Sequence, residues 1–289
     1  MRTEEKNKIV GGSLYLVGTP IGNMADVSER AKKVLSEVDF VAAEDTRNSA
    51  RLLSALGIHK ELVSYHEHNK RASGEKITAR LLAGKSCALV TDAGMPAISD
   101  PGEDLVRLCA ELGITVFVVP GACAAVSALA VSALATGRFT FEGFLPVQTK
   151  ERRERLSSLK YEERTMIFYE APHKLERTLR DMCDAFGEER KISLCRELTK
   201  LNEEILRTTL GAALALFSEQ EARGEFVLVL EGSTAPKPSD GKDKLLSLSP
   251  EEHVKMHEDA GLSRMDAIKA AAKERGMTKS ELYAILNKN

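Results

Sequence analysis

His66 and His68 stand one residue apart and are followed directly by Asn69. In an extended segment that spacing puts both imidazoles on one face, where they could take a proton from a weak nucleophile such as a hydroxyl. They could also form half of a metal site, but no third ligand accompanies them and no metal is expected. Glu44 and Asp45 are the other candidates for proton removal: two carboxylates just past an apolar run, with Arg47 close by. The plainer alternatives stay open at this point. Residues 44–47 could simply cap a helix with a solvent ion pair, and the two histidines could be surface groups that only contact a substrate. His173 follows Pro172 at a helix start and reads as structural. His253 and His257 are four apart, but Val254 breaks the H-E-x-x-H pattern, so they read as a solvated helix face.

A second group of residues could hold a ligand through backbone. Gly18-Thr19-Pro20-Ile21-Gly22-Asn23 follows an apolar strand and allows the main chain to approach a ligand closely. The run from Thr91 to Gly102 (TDAGMPAISDPG) is built mostly of small residues. Pro120-Gly121-Ala122-Cys123-Ala124 makes another tight, small-residue turn.

The elements that must position these loops follow from periodicity. Leu14–Val17, Phe40–Ala43, Cys87–Val90 and Ile114–Val119 read as strands, each followed by one of the loops above and then a helical pattern. Asp26 with Glu29 reads as a capping box. Gly57 and Gly113 read as helix ends, and Asp100-Pro101 as a helix start. Strand–helix alternation of this kind predicts a mainly parallel sheet covered by helices, with a ligand crevice outside the carboxyl ends of the strands. A second α/β block is expected from Phe139–Phe144, Thr165–Tyr169, Ile192–Cys195 and Phe226–Leu230. The expected organisation is an N-terminal α/β domain over 13–125, a second over 126–232, a linker over 233–247 and a C-terminal module over 248–289. Ser249, Ser263 and Thr278 open three short helices in that module, with a turn at Gly276, in the manner of a helix-turn-helix.

Composition is that of an ordinary globular chain, 43% hydrophobic and 29% charged, with a net charge of −2. So weak a net charge gives no overall field for gripping nucleic acid. Any RNA contact must come from local groups, foremost Lys150, Arg152, Arg153 and Arg155, whose cations neutralise phosphates, with Arg47 and Asn69 beside the candidate site. The tail is nearly balanced, with nine Lys or Arg against eight Asp or Glu from Gly241 on. The five cysteines lack paired spacing and read as reduced thiols. The N-terminus has no apolar signal core, and the apolar stretch 114–134 is broken by Pro120-Gly121, which argues against a membrane span. A soluble cytoplasmic protein is expected. Gly84-Lys85-Ser86 is no P-loop, since Ala79 stands where that pattern needs glycine and a strand follows where it needs a helix. No G-x-G-x-x-G follows a strand, and G-x-S-x-G is absent.

Taken in order from about Leu14 to Gly232, these segments resemble the tetrapyrrole-methylase superfamily, also called class III S-adenosylmethionine methyltransferases. The resemblance includes His66-Glu67-His68-Asn69, Glu142–Pro146 (EGFLP), Ile167–Glu170 (IFYE) and Arg196–Lys200 (RELTK). Within the superfamily the segments are similar to the bacterial 16S ribosomal RNA (cytidine 2′-O)-methyltransferases, and the tail looks like a helix-turn-helix extension found there. The resemblance implies two α/β domains of the tetrapyrrole-methylase type with S-adenosylmethionine folded in the cleft between them. It also implies a homodimer, and 16S RNA or the 30S subunit as partner, with no DNA and no membrane. The implied reaction is 2′-O-methylation of a cytidine in the decoding region. Cofactor contacts carry over onto Pro20; onto Asp92, Ala93, Gly94, Met95 and Ile98; onto Cys123 and Ala124; and onto Tyr169 and Glu170. Tetrapyrrole-modifying relatives have an acidic residue where this chain has Met95. That departure argues away from a porphyrinoid methylase, which with a non-catalytic ribosome-binding protein is the alternative function.

Overall fold

The computed structural model describes residues 8–235 and 248–287. The chain forms two compact units, Met1–Ser233 and Thr234–Asn289; most of the expected linker, 236–247, lies outside the described residues.

The first unit begins with five parallel strands, β1 (Ser13–Val17), β2 (Phe40–Ala43), β3 (Glu61–Ser64), β4 (Cys87–Val90) and β5 (Thr115–Val119). They lie in the order β3-β2-β4-β1-β5. Alternate side chains enter opposite cores, as a two-residue period requires. Tyr15, Val17, Val41, Ala88 and Val90 pack with Ala31, Val34 and Leu35 of α1 (Glu29–Glu37) and Leu53 of α2 (Thr46–Ala55). Leu14, Phe40, Cys87 and Leu89 pack on the other face with Ile77 and Leu81 of α3 (Lys70–Leu82) and Leu105 and Cys109 of α4 (Gly102–Glu111). Because all five strands are parallel, the loops after β1, β2, β4 and β5 leave from one edge of the sheet.

The second sheet holds β6 (Phe139–Phe144), β7 (Thr165–Glu170), β8 (Lys191–Arg196), β9 (Glu204–Thr209) and β10 (Phe226–Leu230), in the order β6-β7-β10-β8-β9. Only β6 and β7 are parallel; the other three pairings are antiparallel. One face packs on α7 (Pro172–Phe186) and α8 (Leu210–Glu219), with Leu156 of α6 (Thr149–Ser158). The other face takes Ala125, Ala128 and Leu129 of α5 (Ala124–Val131) against Ile167, Cys195, Val227 and Val229. The expected boundary at 125/126 therefore falls inside a helix that belongs to the second core.

Other local expectations shift for identifiable reasons. The first helix is capped by Ser28, whose hydroxyl accepts from Ala31 N–H, and not by Asp26. Asp26 ends a short 3-10 turn (Met24–Asp26), and Val27 then leaves in an extended conformation. Two strands had no expectation, β3 and β9, both at sheet edges where one side of the ladder stays unpaired and alternation is diluted by polar residues. His66–His68 form a turn instead of an extended segment: Asn69 Oδ1 accepts from His66 N–H at 2.8 Å and closes it.

The C-terminal unit contains α9 (Pro250–Asp259), α10 (Arg264–Glu274) and α11 (Lys279–Leu286) around Val254, Ala267, Ile268, Ala271, Ala272 and Leu282. Ser249–Glu252 and Thr278–Glu281 form complete capping boxes, as their spacing predicts. His253 is fully buried, contrary to the solvated face expected of it. Its Nε2 and that of His257 both lie within hydrogen-bond distance of Glu274 Oε2 (2.8 and 3.1 Å), and its Nδ1 accepts from Arg275 Nε at 3.0 Å. An i, i+4 pair from one helix thus clasps a carboxylate from the next. Although three metal-ligating side chains meet here, Arg275 cannot accept a proton. His253 Nδ1 must therefore be the lone-pair nitrogen and Nε2 the N–H. A metal on Nε2 would need the proton moved to Nδ1, against the guanidinium, so the cluster is a hydrogen-bonded clasp.

Candidate functional site

Within the first unit, a cavity of about 640 Å³ opens where the loops after β1, β2, β4 and β5 meet the ends of the second sheet's strands. Its size lies within the roughly 300–1,000 Å³ of small-molecule sites.

Close backbone packing builds its first wall. Thr19 and Gly94 form an antiparallel bridge, Thr19 N–H to Gly94 O at 2.9 Å and the reverse at 3.2 Å. This ties the loop after β1 to that after β4. Gly18 and Gly121 face each other so closely that a Cβ on Gly18 would sit 2.6 Å from Gly121 Cα, and one on Gly121 would sit 2.7 Å from Gly18 Cα. No residue larger than glycine fits either position. Beyond Gly94, Ala97 and Ser99 hold left-handed conformations at φ 66° and 65°, each costing about 1–3 kcal/mol. Asp100 sustains this turn, its carboxylate accepting from the N–H groups of Ala97, Ile98 and Gly102.

The second wall comes from the ends of β7, β8 and β10. Tyr169 packs edge-on against Phe141 and Phe144. Its hydroxyl accepts from Ala125 N–H at 3.2 Å, and burial pushes its pKa up. Glu170 is buried, with Oε1 accepting from Ala171 N–H at 2.9 Å and Oε2 from the Thr178 hydroxyl at 2.6 Å. Its charge thus sits at the positive end of α7. Further round, Glu197 and Thr199 are left-handed (φ 51° and 66°). Lys200 Nζ joins Glu197 and Glu225, each at 2.8 Å. Burial disfavours the ammonium form, but these two hydrogen-bonded carboxylates outweigh it and hold the Lys200 pKa above its ordinary value.

The lining is strongly acidic. Glu44, Asp92, Asp100, Glu170, Glu197 and Glu225 face the cavity, with Lys200 as the one lysine or arginine among its described lining residues. Such a surface favours a cationic small molecule and disfavours a phosphate-rich or polycarboxylate one.

A family model described as Tetrapyrrole (Corrin/Porphyrin) Methylases matches residues 13–214, the span that carries the first sheet and all of the second but β10. The chain belongs to the tetrapyrrole-methylase family. A ribosomal RNA small subunit methyltransferase I from Halalkalibacterium halodurans is 48% identical over 274 residues, covering 95% of this chain and 94% of that protein. A protein of the same name from Bacillus subtilis is 45% identical, covering 94% of this chain and 93% of its own length. Among solved structures, a uroporphyrin-III-C-methyltransferase from Thermus thermophilus matches with a TM-score of 0.55 at 20% identity, covering 75% of this chain and 94% of that one. A cobalt precorrin-4 methyltransferase matches equally well at 19% identity, with the same coverage. At such identities these structures speak for the tetrapyrrole-methylase fold alone.

In this member of the family the residues expected to contact cofactor converge. Asp92, Ala93, Gly94, Met95, Ile98, Cys123, Ala124, Tyr169 and Glu170 all line the cavity. Pro20 does not; its neighbour Ile21 does.

The residues expected to take a proton separate. Glu44 lines the cavity, with Oε2 accepting from the Thr91 hydroxyl at 2.8 Å. Asp45 is the N-cap of α2, and its hydrogen bonds from Arg47 hold its carboxyl well below the usual range, which makes it a poor base. His66 and His68 are absent from the cavity lining; their rings meet edge to face at 5.9 Å beyond β3.

The RNA candidates also divide. Arg152 is buried, paired with Asp181 at 2.7 Å, and donates to Val147 O at 3.0 Å, so the charged run is not a uniform solvated face. Arg153 shares the other oxygen of Asp181, and Arg155 pairs with Glu142. Lys150 is the most exposed of the four, only loosely paired with Glu154 at 4.0 Å. Arg47 is exposed but bound to Asp45 through two nitrogens. Asn69 spends its side chain inside its own turn, on His66 N–H and the Ser64 carbonyl. His173, expected to be structural, lines the cavity, as do Glu197 and Lys200 of the RELTK segment, to which the sequence assigned no role, and Glu225, which it did not single out. Strand assignment alone could have found them, since each stands within four residues of a strand end or start.

Proposed function

We propose that the chain transfers a methyl group from S-adenosylmethionine to the ribose 2′-oxygen of a cytidine in the decoding region of bacterial 16S ribosomal RNA. The observation that carries the reading is the acidic, small-residue cavity in a chain whose near-full-length relatives, at 48% and 45% identity, are named ribosomal RNA small subunit methyltransferase I. The cofactor carries a sulfonium and an ammonium against a single carboxylate, and six lining carboxylates against one doubly paired lysine suit its net positive charge. Ala93 and Gly94 offer backbone with almost no side chain for a close approach. Met95, Ile98, Cys123 and Ala124 supply apolar contact, Tyr169 a flat aromatic face and Glu170 a fixed negative charge.

When bound, the sulfonium supplies an electrophilic methyl carbon for an in-line displacement, so alignment is the chain's main task. The rigid bridge at Thr19–Gly94 and the contact at Gly18–Gly121 serve that alignment. A polycarboxylate tetrapyrrole is a poor acceptor here, because it would meet the same acidic wall. Lys150 and Arg153 supply phosphate contacts from α6, with Arg47 in the first turn of α2.

The proposed active form is a cytoplasmic homodimer. β5 and β6 are both edge strands; Val118 of β5, Phe139 of β6, Val126 and Val131 of α5, the helix that joins them, and Val147 just beyond β6 are exposed. A second copy is the partner that the fold family suggests for this apolar run.

The test is transfer of labelled methyl from S-adenosylmethionine to undermodified small subunits, naked ribosomal RNA or a uroporphyrinogen. Label in an RNA ribose is expected. Label only in the porphyrinogen, or in neither, would overturn the reading.

A further inference from the structure

Among the cavity's titratable groups two side chains have no hydrogen bond or ion pair to a described residue, the half-buried Cys123 thiol and the exposed His173 imidazole, and of the two only the imidazole is a base when neutral. Glu44 is held by the Thr91 hydroxyl, and Asp92 accepts from Asn48 Nδ2 at 3.1 Å. Asp100 is spent on three backbone N–H groups, and both oxygens of Glu170 are taken. Glu197 and Glu225 share Lys200. The Tyr169 hydroxyl oxygen serves Ala125 N–H. His173 also lines the cavity, yet it is exposed and has no hydrogen bond or ion pair to any described residue. It sits at the second position of α7, held there by Pro172 at the first, three residues beyond Glu170.

We infer that His173 is the group that receives the acceptor's proton. Resting on the ribose reading above, the step runs as follows. The 2′ O–H bond breaks and its proton passes to an imidazole nitrogen of His173. The oxygen forms its bond to the methyl carbon while the carbon–sulfur bond breaks and leaves its electron pair on sulfur. Imidazole suits this work because a ring nitrogen offers a lone pair that can take up a proton and later release it. Its exposure suits an acceptor far larger than the cavity, which must present one ribose at the rim.

Three measurements decide the matter, made on the full chain. Single-turnover transfer to undermodified small subunits should fall roughly 100-fold or more in His173→Ala and His173→Asn, while S-adenosylmethionine binds both as tightly as it binds the unaltered protein. Added imidazole should restore part of the His173→Ala rate. Diethylpyrocarbonate should modify His173 in the free protein, read by mass spectrometry, and bound subunits should protect it. A rate that stays within a few-fold of the unaltered protein overturns the assignment. So does a loss fully explained by weaker cofactor binding, or a His173 that subunits leave unprotected. If the unaltered protein puts no methyl on ribose, the functional reading falls as well.

Discussion

At the scale of single residues, the site depends on contacts that admit no substitute. Gly18 and Gly121 are the sharpest case. Gly121→Ala must separate two backbones that now touch, and a displacement on the order of 1 Å in an aligned transfer costs roughly 100-fold in rate. Steady-state kinetics on a folded Gly121→Ala protein should show that loss; activity close to normal would mean that the two loops do not set the alignment. The charged run on α6 makes a second prediction. Arg152→Ala leaves Asp181 Oδ2 and the Val147 carbonyl without their buried donor, with only Arg153 still on Asp181 Oδ1, and should cost about 3 kcal/mol in urea unfolding, whereas Arg153→Ala, whose guanidinium is largely in water, should cost clearly less. Equal losses would contradict the burial of Arg152. The two glycines were legible in the sequence as loop formers, but their mutual contact was not, because it joins residues about a hundred positions apart. Arg152 was misread for a related reason. A charge pattern along a helix does not reveal that a neighbouring helix brings Asp181 to meet it.

At the scale of elements, apolar runs located eight of the ten strands among the described residues, and with them the cavity. The two others, β3 and β9, are edge strands whose ELVS and EILRTT sequences look like ordinary surface chain. Missing β9 also hid the antiparallel half of the second sheet, since pairing direction depends on which strand neighbours which. The His66–His68 pair was placed by spacing alone, and spacing cannot tell an extended segment from a turn that Asn69 closes. Strand entry also carries a pH signature. Asp39, just before β2, accepts from Ser86 N–H at 2.7 Å, the Ser86 hydroxyl and Lys85 Nζ. The Ser86 backbone hydrogen bond first, then Lys85, lower its pKa from 3.8 to about 2. A carboxylate with a lowered folded pKa stabilises above its unfolded value, and that contribution is lost as the pH falls through the folded one. Asp39→Asn should therefore cost on the order of 1 kcal/mol at neutral pH, after discount for solvent screening. The gap to the unaltered protein should close between about pH 4 and pH 2 in urea titrations. A gap constant over that range would show that the charge contributes nothing.

At the scale of the whole molecule, the first unit carries the family fold and its cavity, while the C-terminal unit is an independently packed three-helix body clasped by His253, His257, Glu274 and Arg275. None of the described residues forms a helix long and apolar enough to cross a membrane. The exposed valines near β5 and on α5 predict assembly: sedimentation should give twice the mass of the chain, and Val126→Lys should shift it toward one copy. A single copy at micromolar concentration in the unaltered protein would remove the dimer from the account. The capping boxes of the tail were readable because capping is local, whereas burial of His253 was not, because it depends on a carboxylate and a guanidinium from the next helix. Ribose methylation mapped across the small-subunit RNA of a bacterium lacking this protein tests the central claim most directly. Mass spectrometry of nuclease fragments should show one decoding-region cytidine without its 2′-O-methyl group, restored by the unaltered chain. An unchanged methylation map would contradict the account.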